Sequence, residues 1–311
     1  MARSVRTAPS FTYALVFVAT ALALGCNATN GTGTVFSTGG DGGGGSGAAG
    51  GGGTAGGGTA GGGTGGEGGS FIPPDDDGGG IPEPTGPAEV YGHSSSTLYK
   101  LNPDTKEVVV IGTFKGCSSV IDLALDADSN IIATTFNGLY RIDKVTAQCT
   151  TITSGSYPNS LSFVPKGTLD PNVEALVGYQ GSTYVRIDPV SGQVTTIGQI
   201  GGGYSSSGDI VSVKGGGTYL TVKGQNCNDC LIEVDPKTGA MVKNWGSVGY
   251  GSVFGIAFWA GSVYGFSDSG DLFEITFAAD KITTTPIPTM SGLSFWGAGS
   301  TTSAPVVPPP K

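Results

Sequence analysis

Two acidic residues stand at the start of short apolar runs, Asp122 in "VIDLALD" and Asp209 in "SSSGDIVS". A pair of carboxylates is the minimum equipment for hydrolysing a glycosidic bond. Any catalytic triad would have to use His93, the one histidine, in "GHSSST", and no Gly-x-Ser-x-Gly elbow accompanies it. A single histidine also excludes multi-histidine metal centres. "DADSN" (Asp126 to Asn130) opens like a calcium loop, but Ile131 and Asn137 occupy the places that need Gly and Glu. Cys227 and Cys230 in "NCNDC" lack the second ligand pair of a zinc site, and between two strands they read as a small loop disulfide. Cys117 and Cys149 are left open, since the strand reading sets them near opposite ends of one unit. "DPVSG" (Asp188 to Gly192) and "DPKTG" (Asp235 to Gly239) carry acids too, but in these phrases Asp accepts backbone bonds, Pro presets φ and Gly takes a positive φ. That is hairpin chemistry. No residue set calls for a cofactor, a metal ion or a catalytic role.

The elements that carry these residues repeat. "LYKLNPDTKEVVVIG" from Leu98, "LYRIDKVTAQCTTIT" from Leu139, "YVRIDPVSGQVTTIG" from Tyr184, "LIEVDPKTGAMVKNW" from Leu231 and "LFEITFAADKITTTP" from Leu272 start 41, 45, 47 and 41 residues apart. Each phrase is two alternating strands joined by a turn, and each later copy follows two further strands, such as "GDIVSVK" and "TYLTVK". Four strands per period of this length define a β-propeller blade.

The ends of the repeat are complementary. It opens with three strands, "EVYGH", "LYKLN" and "EVVVIG", and closes on the isolated run "GLSFWGAG" (Gly292 to Gly299). The last run therefore supplies the missing inner strand of the first sheet, which closes the ring at five blades and hides two strand edges. In this frame Tyr157, Tyr204 and Tyr250 recur on the loops that lead into inner strands, at the same end as Asp122 and Asp209. Tyrosines beside acids and amides on Gly-flanked loops can stack on and hydrogen-bond a sugar or peptide, so these five residues are the candidate ligand site.

The repeat phrases resemble those of bacterial repeat propellers with "LYxIDPxTG"-like motifs, and more closely the propeller lipoproteins that bacteria tether to their envelopes. The head of the chain fits that likeness. Arg3 and Arg6 precede the apolar run "FTYALVFVATALAL", and "LALGC" resembles a bacterial lipobox with Cys26 as the acylated first mature residue. Asn27 follows it where inner-membrane retention favours Asp, which points to the outer membrane. Of the fifty residues from Gly31 to Gly80, 26 are Gly, a composition that cannot offset its chain entropy and whose root-mean-square span is ~40 Å. The expected organisation is a signal peptide over residues 1–25, a lipid-anchored disordered linker over 26–86, the propeller over 87–300 and a Pro-rich disordered tail over 301–311.

Charge narrows the partners. The chain has 15 basic and 24 acidic residues; Arg3 and Arg6 leave with the signal, and Asp41, Glu67, Asp75, Asp76, Asp77 and Glu83 precede residue 87, so residues 87–311 hold 13 bases against 18 acids. Without a concentrated positive stretch a nucleic-acid role is not expected. The expectation is a monomeric, non-enzymatic envelope head that binds a glycan or a protein. The alternatives are a glycosidase using Asp122 and Asp209, because five-bladed propellers include sugar hydrolases, or a structural assembly protein.

Overall fold

The computed structural model describes residues 88–224 and 226–308; the expected signal peptide, the expected acylation site Cys26 and the Gly-rich linker segment lie outside them. The described residues form twenty strands and no helix. Blade 1 contains β1 (Val90–His93), β2 (Thr97–Asn102) and β3 (Glu107–Thr113). Blade 2 is β4 (Val120–Leu125), β5 (Ile131–Thr135), β6 (Gly138–Ile142) and β7 (Cys149–Ser154). Blade 3 is β8 (Leu161–Val164), β9 (Ala175–Gln180), β10 (Thr183–Ile187) and β11 (Val194–Gln199). Blade 4 is β12 (Ser205–Ser212), β13 (Thr218–Gly224), β14 (Cys227–Val234) and β15 (Met241–Ser247). Blade 5 is β16 (Val253–Trp259), β17 (Ser262–Ser267), β18 (Leu272–Phe277) and β19 (Ile282–Ile287). The last strand, β20 (Gly297–Ser300), pairs with β1 and completes blade 1 in the order β20-β1-β2-β3. The inner strands β4, β8, β12, β16 and β20 pack side by side in a closed circuit, so the fold is a five-bladed propeller.

The sequence pattern explains this layering. Inner strands such as β4 are buried along their whole length and read as continuous apolar runs, whereas outer strands such as β15 alternate in exposure. The apolar side chains gather into five clusters, and each fills one seam between neighbouring blades. A blade alone would leave both faces of its sheet wet; burial comes from the ring.

The closing strand lies further along than "GLSFWGAG" implies. Phe295 is not part of it but is a buried wedge between blades 1 and 5, edge-on to Tyr99 and Phe266, while the strand is the small-residue run Gly-Ala-Gly-Ser. Neighbouring inner strands approach closely, and at particular positions on them there is no room for a side chain. At Gly255 a Cβ would come 2.6 Å from the Ala298 nitrogen of β20. The disordered tail expected over 301–311 also needs correction. Thr301, Thr302, Ser303 and Ala304 are buried, the Ala260 N–H donates to the Pro305 carbonyl at 2.7 Å, and Val306 packs on the seam between blades 4 and 5. The apolar residues of "APVV" give this segment a surface to cover, which its prolines do not prevent.

The repeated hairpins act as latches between blades. Asp188 Oδ1 accepts the N–H groups of Val190 and Ser191 at 2.8 and 2.9 Å, and Asp143 repeats the pattern with Val145 and Thr146 at 3.0 and 2.8 Å. The fifth residue takes a positive φ in four copies, Lys106, Ala147, Gly192 and Gly239. In three of them its carbonyl accepts a bond from the preceding blade: Ala147 from the Lys115 N–H at 3.0 Å, Gly192 from the Tyr157 hydroxyl at 3.0 Å, and Gly239 from the Tyr179 hydroxyl at 2.8 Å. This reach brings Cys149, at the end of one hairpin, against Cys117 of the preceding blade, and the two form a disulfide across the seam. Their placement at opposite ends of one blade fails because the hairpin leans on its neighbour. Cys227 and Cys230 form a second, local disulfide at the start of β14.

Candidate functional site

Strand pairing sets five equivalent positions where the inner strands begin, occupied by Gly297, Asp122, Ser160, Asp209 and Gly255 in blades 1 to 5. Asp122 uses Oδ1 to accept the Leu123 N–H at 2.8 Å and Oδ2 to accept the Leu161 N–H of blade 3 at 2.6 Å. Asp209 likewise accepts Ile210 at 2.6 Å and Ile256 of blade 5 at 2.8 Å. The two carboxyl groups lie close enough to influence each other, and burial raises both well above the usual carboxylate range, the neighbouring Asp209 adding to the rise at Asp122. Both side chains are wholly buried. The arrangement stitches blades 2 and 3 and blades 4 and 5 together, and it leaves no gap in which a sugar could lie between the acids.

His93 reaches the same region from β1 and is also wholly buried. Its Nδ1 is 2.8 Å from the Ser94 carbonyl, which can only accept, so Nδ1 carries the proton and Nε2 is a bare lone pair. Among the described residues neither that Nε2 nor the Ser160 Oγ has a partner. Burial pushes the imidazole down to about 4, against the opposing pull of the Ser94 bond. Gly297 is required here, because a Cβ would run into His93 Nε2 and Asp122 Oδ1.

The three tyrosines share this end of the ring but not one site. Each is half-buried and closes a different seam. Tyr157 donates to Gly192 between blades 2 and 3, Tyr204 accepts from Asn244 Nδ2 at 2.9 Å beside the cluster of blades 3 and 4, and Tyr250 stacks on Phe273 with centroids 3.9 Å apart between blades 4 and 5. An aromatic body against an apolar seam accounts for the residue type, with the hydroxyls of Tyr157 and Tyr204 bonded at the edge. The structure thus brings Asp122 near Asp209 and distributes the tyrosines one per seam.

The large concavity is at the opposite end, where the inner strands finish. It is a cavity of ≈ 1130 Å³ lined by loops of four blades: Thr302 and Ser303 of blade 1, Asp126 to Asn130 of blade 2, Pro165 to Gly167 and Pro171 to Glu174 of blade 3, and Lys214 of blade 4. Four acids and four bases face it, but their availability differs. Asp126 is consumed by its own turn, accepting Asp128 N–H at 3.0 Å, Asn130 N–H at 2.8 Å and Asn130 Nδ2 at 2.8 Å. Asp143 is bound within its hairpin, and Glu174 accepts the Ala127 N–H at 2.8 Å and the Thr302 hydroxyl. Burial raises the Glu174 carboxyl, and the bonds from Thr302 and Ala127 partly offset it. Lys144 is paired with Glu89. Among the described residues this leaves Arg141, Lys166 and Lys214 without partners, against Asp128 alone. Sequence reasoning missed this face because its cations are far apart in the chain. One signal was present: the wide repeat spacing after Leu139 reflects the long loop "PKGTLDPNVE" between β8 and β9.

No protein-family model matches the chain, and no curated protein matches it. Solved structures resemble it at low identity. A Nidogen/Laminin complex chain is 12% identical over 70% of this chain and 100% of its own, with a TM-score of 0.46. A Bacteroides caccae protein of unknown function is 16% identical over 67% and 77%, with a TM-score of 0.37. Hydrazine synthase of Kuenenia stuttgartiensis is 11% identical over 64% of this chain, with a TM-score of 0.38, and the match spans 62% of that enzyme chain. Such likeness concerns fold alone, and one propeller frame hosts unrelated activities.

Proposed function

We propose that this chain is a lipid-anchored protein of the bacterial cell envelope, held at the outer membrane through Cys26, whose propeller is a monomeric, non-enzymatic head that binds a glycan or a protein. The observation that carries the reading is the ≈ 1130 Å³ cavity, to which loops of four blades contribute and in which Arg141, Lys166 and Lys214 are left for a ligand. Concave sites with a few convergent polar groups are where ligands bind. The glycosidase alternative loses its site, because Asp122 and Asp209 are sealed and saturated by main-chain donors.

Two measurements test this. Membrane fractionation should place the wild-type chain in the membrane pellet and the Cys26→Ser form in the soluble fraction; equal partition removes the anchor. Glycan arrays and envelope-extract pull-downs should find a ligand whose binding is lost in Lys166→Glu with Lys214→Glu and kept in Tyr204→Ala with Tyr250→Ala. The reverse result moves the site to the tyrosine end, and binding indifferent to both pairs refutes both.

A further inference from the structure

The chain enters the propeller at the wall of the cavity. Glu89 is bonded to Lys144, which lines it, and the Glu89 carbonyl accepts the Thr301 N–H at 3.1 Å beside the lining residue Thr302. Everything that precedes Ala88 therefore begins at the cavity rim. Eleven positions upstream ends the segment "FIPPDDD", Phe71 to Asp77, the most acidic run of the chain.

We propose that this segment docks in the cavity of its own chain, with Asp75, Asp76 and Asp77 paired to Arg141, Lys166 and Lys214. Reach is ample. Eleven residues extend to at most ~40 Å and as a flexible chain average ~18 Å. Pairing is complementary: three consecutive carboxylates meet three cations that lack partners among the described residues, on a lining whose own acids, Asp128 apart, are held by other donors. Apolar chemistry matches as well. Val173 on the lining is 54% exposed, and Pro165, Pro171 and Pro189 lie on the same wall, against Phe71, Ile72, Pro73 and Pro74 of the segment. A tether this short holds the segment at an effective concentration of order millimolar, so even a weak contact is populated. The consequence rests on the cavity being the binding site: an outside ligand has to displace the acidic segment, which makes binding dependent on competition and on salt.

The test uses the full mature chain with no ligand added, so its outcome is separate from that of the ligand screen. A photo-crosslinking residue replaces Ile72, and the products are mapped by mass spectrometry over a range of dilutions. The expected result is crosslinking within one chain to the 163–174 and 214–216 loops, unchanged by dilution and reduced roughly tenfold when Asp75→Asn, Asp76→Asn and Asp77→Asn are combined. Hydrogen exchange at Lys166 to Val173 should be roughly tenfold slower in the wild type than in that triple variant. Crosslinks scattered over the propeller, crosslinks between copies that vanish on dilution, or exchange identical in the two proteins would each overturn the proposal.

Discussion

The carboxyl groups of Asp122 and Asp209 belong to blades that are not neighbours in the ring, yet they lie close enough to influence each other, and Asp122 accepts the Leu161 N–H of the blade between them at 2.6 Å. Two acids that look like reactants in the sequence are, in the ring, a buried clasp. Asp122→Ala leaves the Leu123 and Leu161 N–H groups buried and unpaired, each costing about 1–3 kcal/mol. Urea unfolding should show a loss near 3 kcal/mol or more, and Asp209→Ala a similar one. The double variant should lose clearly less than the sum, because the two buried carboxyls interact and are not independent sites. Strict additivity would count against the clasp.

Stability should fall on acidification through His93. Its folded value, about 4, lies below the ordinary 6.5, so the unfolded chain binds the extra proton first. The contribution is complete above pH 6.5 and is lost as pH falls toward 4, about 3 kcal/mol in all. Glu89, held at about 2 because its bonds to Lys100 and Lys144 outweigh the upward push of burial, adds a loss only below its ordinary 4.5. Melting curves of wild type and His93→Gln should therefore diverge between pH 6.5 and 4; parallel curves would contradict the burial of a neutral imidazole.

The two disulfides should differ in weight. Cys117–Cys149 closes a separation of 32 residues and crosses a seam, whereas Cys227–Cys230 closes 3. Chain entropy then gives about 4 kcal/mol for the first and about 2 for the second. Paired Cys→Ser variants, compared by denaturant midpoint under oxidising conditions, should rank in that order.

The latch predicts a hydroxyl effect at a distance from any ligand. Tyr179→Phe keeps the ring but deprives the Gly239 carbonyl of its donor, at a cost of about 1–3 kcal/mol. Gly239→Ala should cost more, since a Cβ there would strike the Tyr184 ring at a positive φ of 71°. A neutral Tyr179→Phe would mean the hairpin does not latch the blade before it.

Much of the architecture was legible because it is periodic. The five Leu-x-x-Ile-like phrases fix blade number, and the unequal ends fix how the ring closes. Phe295 misled the placement of the last strand, since an apolar aromatic suits a seam wedge as well as an inner strand. The partner of Cys117 was hidden for a related reason: contacts across seams follow from how each blade leans on the one before it, and strand alternation carries no trace of that lean. The cavity charges were invisible for want of bonding information. Arg141 and Arg186 look alike in sequence, but Arg186 is paired with Asp170 at 3.3 Å and Arg141 has no partner among the described residues.

The position of β1 has a mechanical meaning. It is the first strand after Ala88, and it lies between β20 and β2, hydrogen-bonded on both sides. A pull on the preceding chain runs along its axis, so tension loads two ladders in shear, all bonds together, instead of peeling one strand from an edge. Glu89, gripped by Lys100 and Lys144, sits at the point where that force enters. A chain anchored as proposed would hang the ring from this strand.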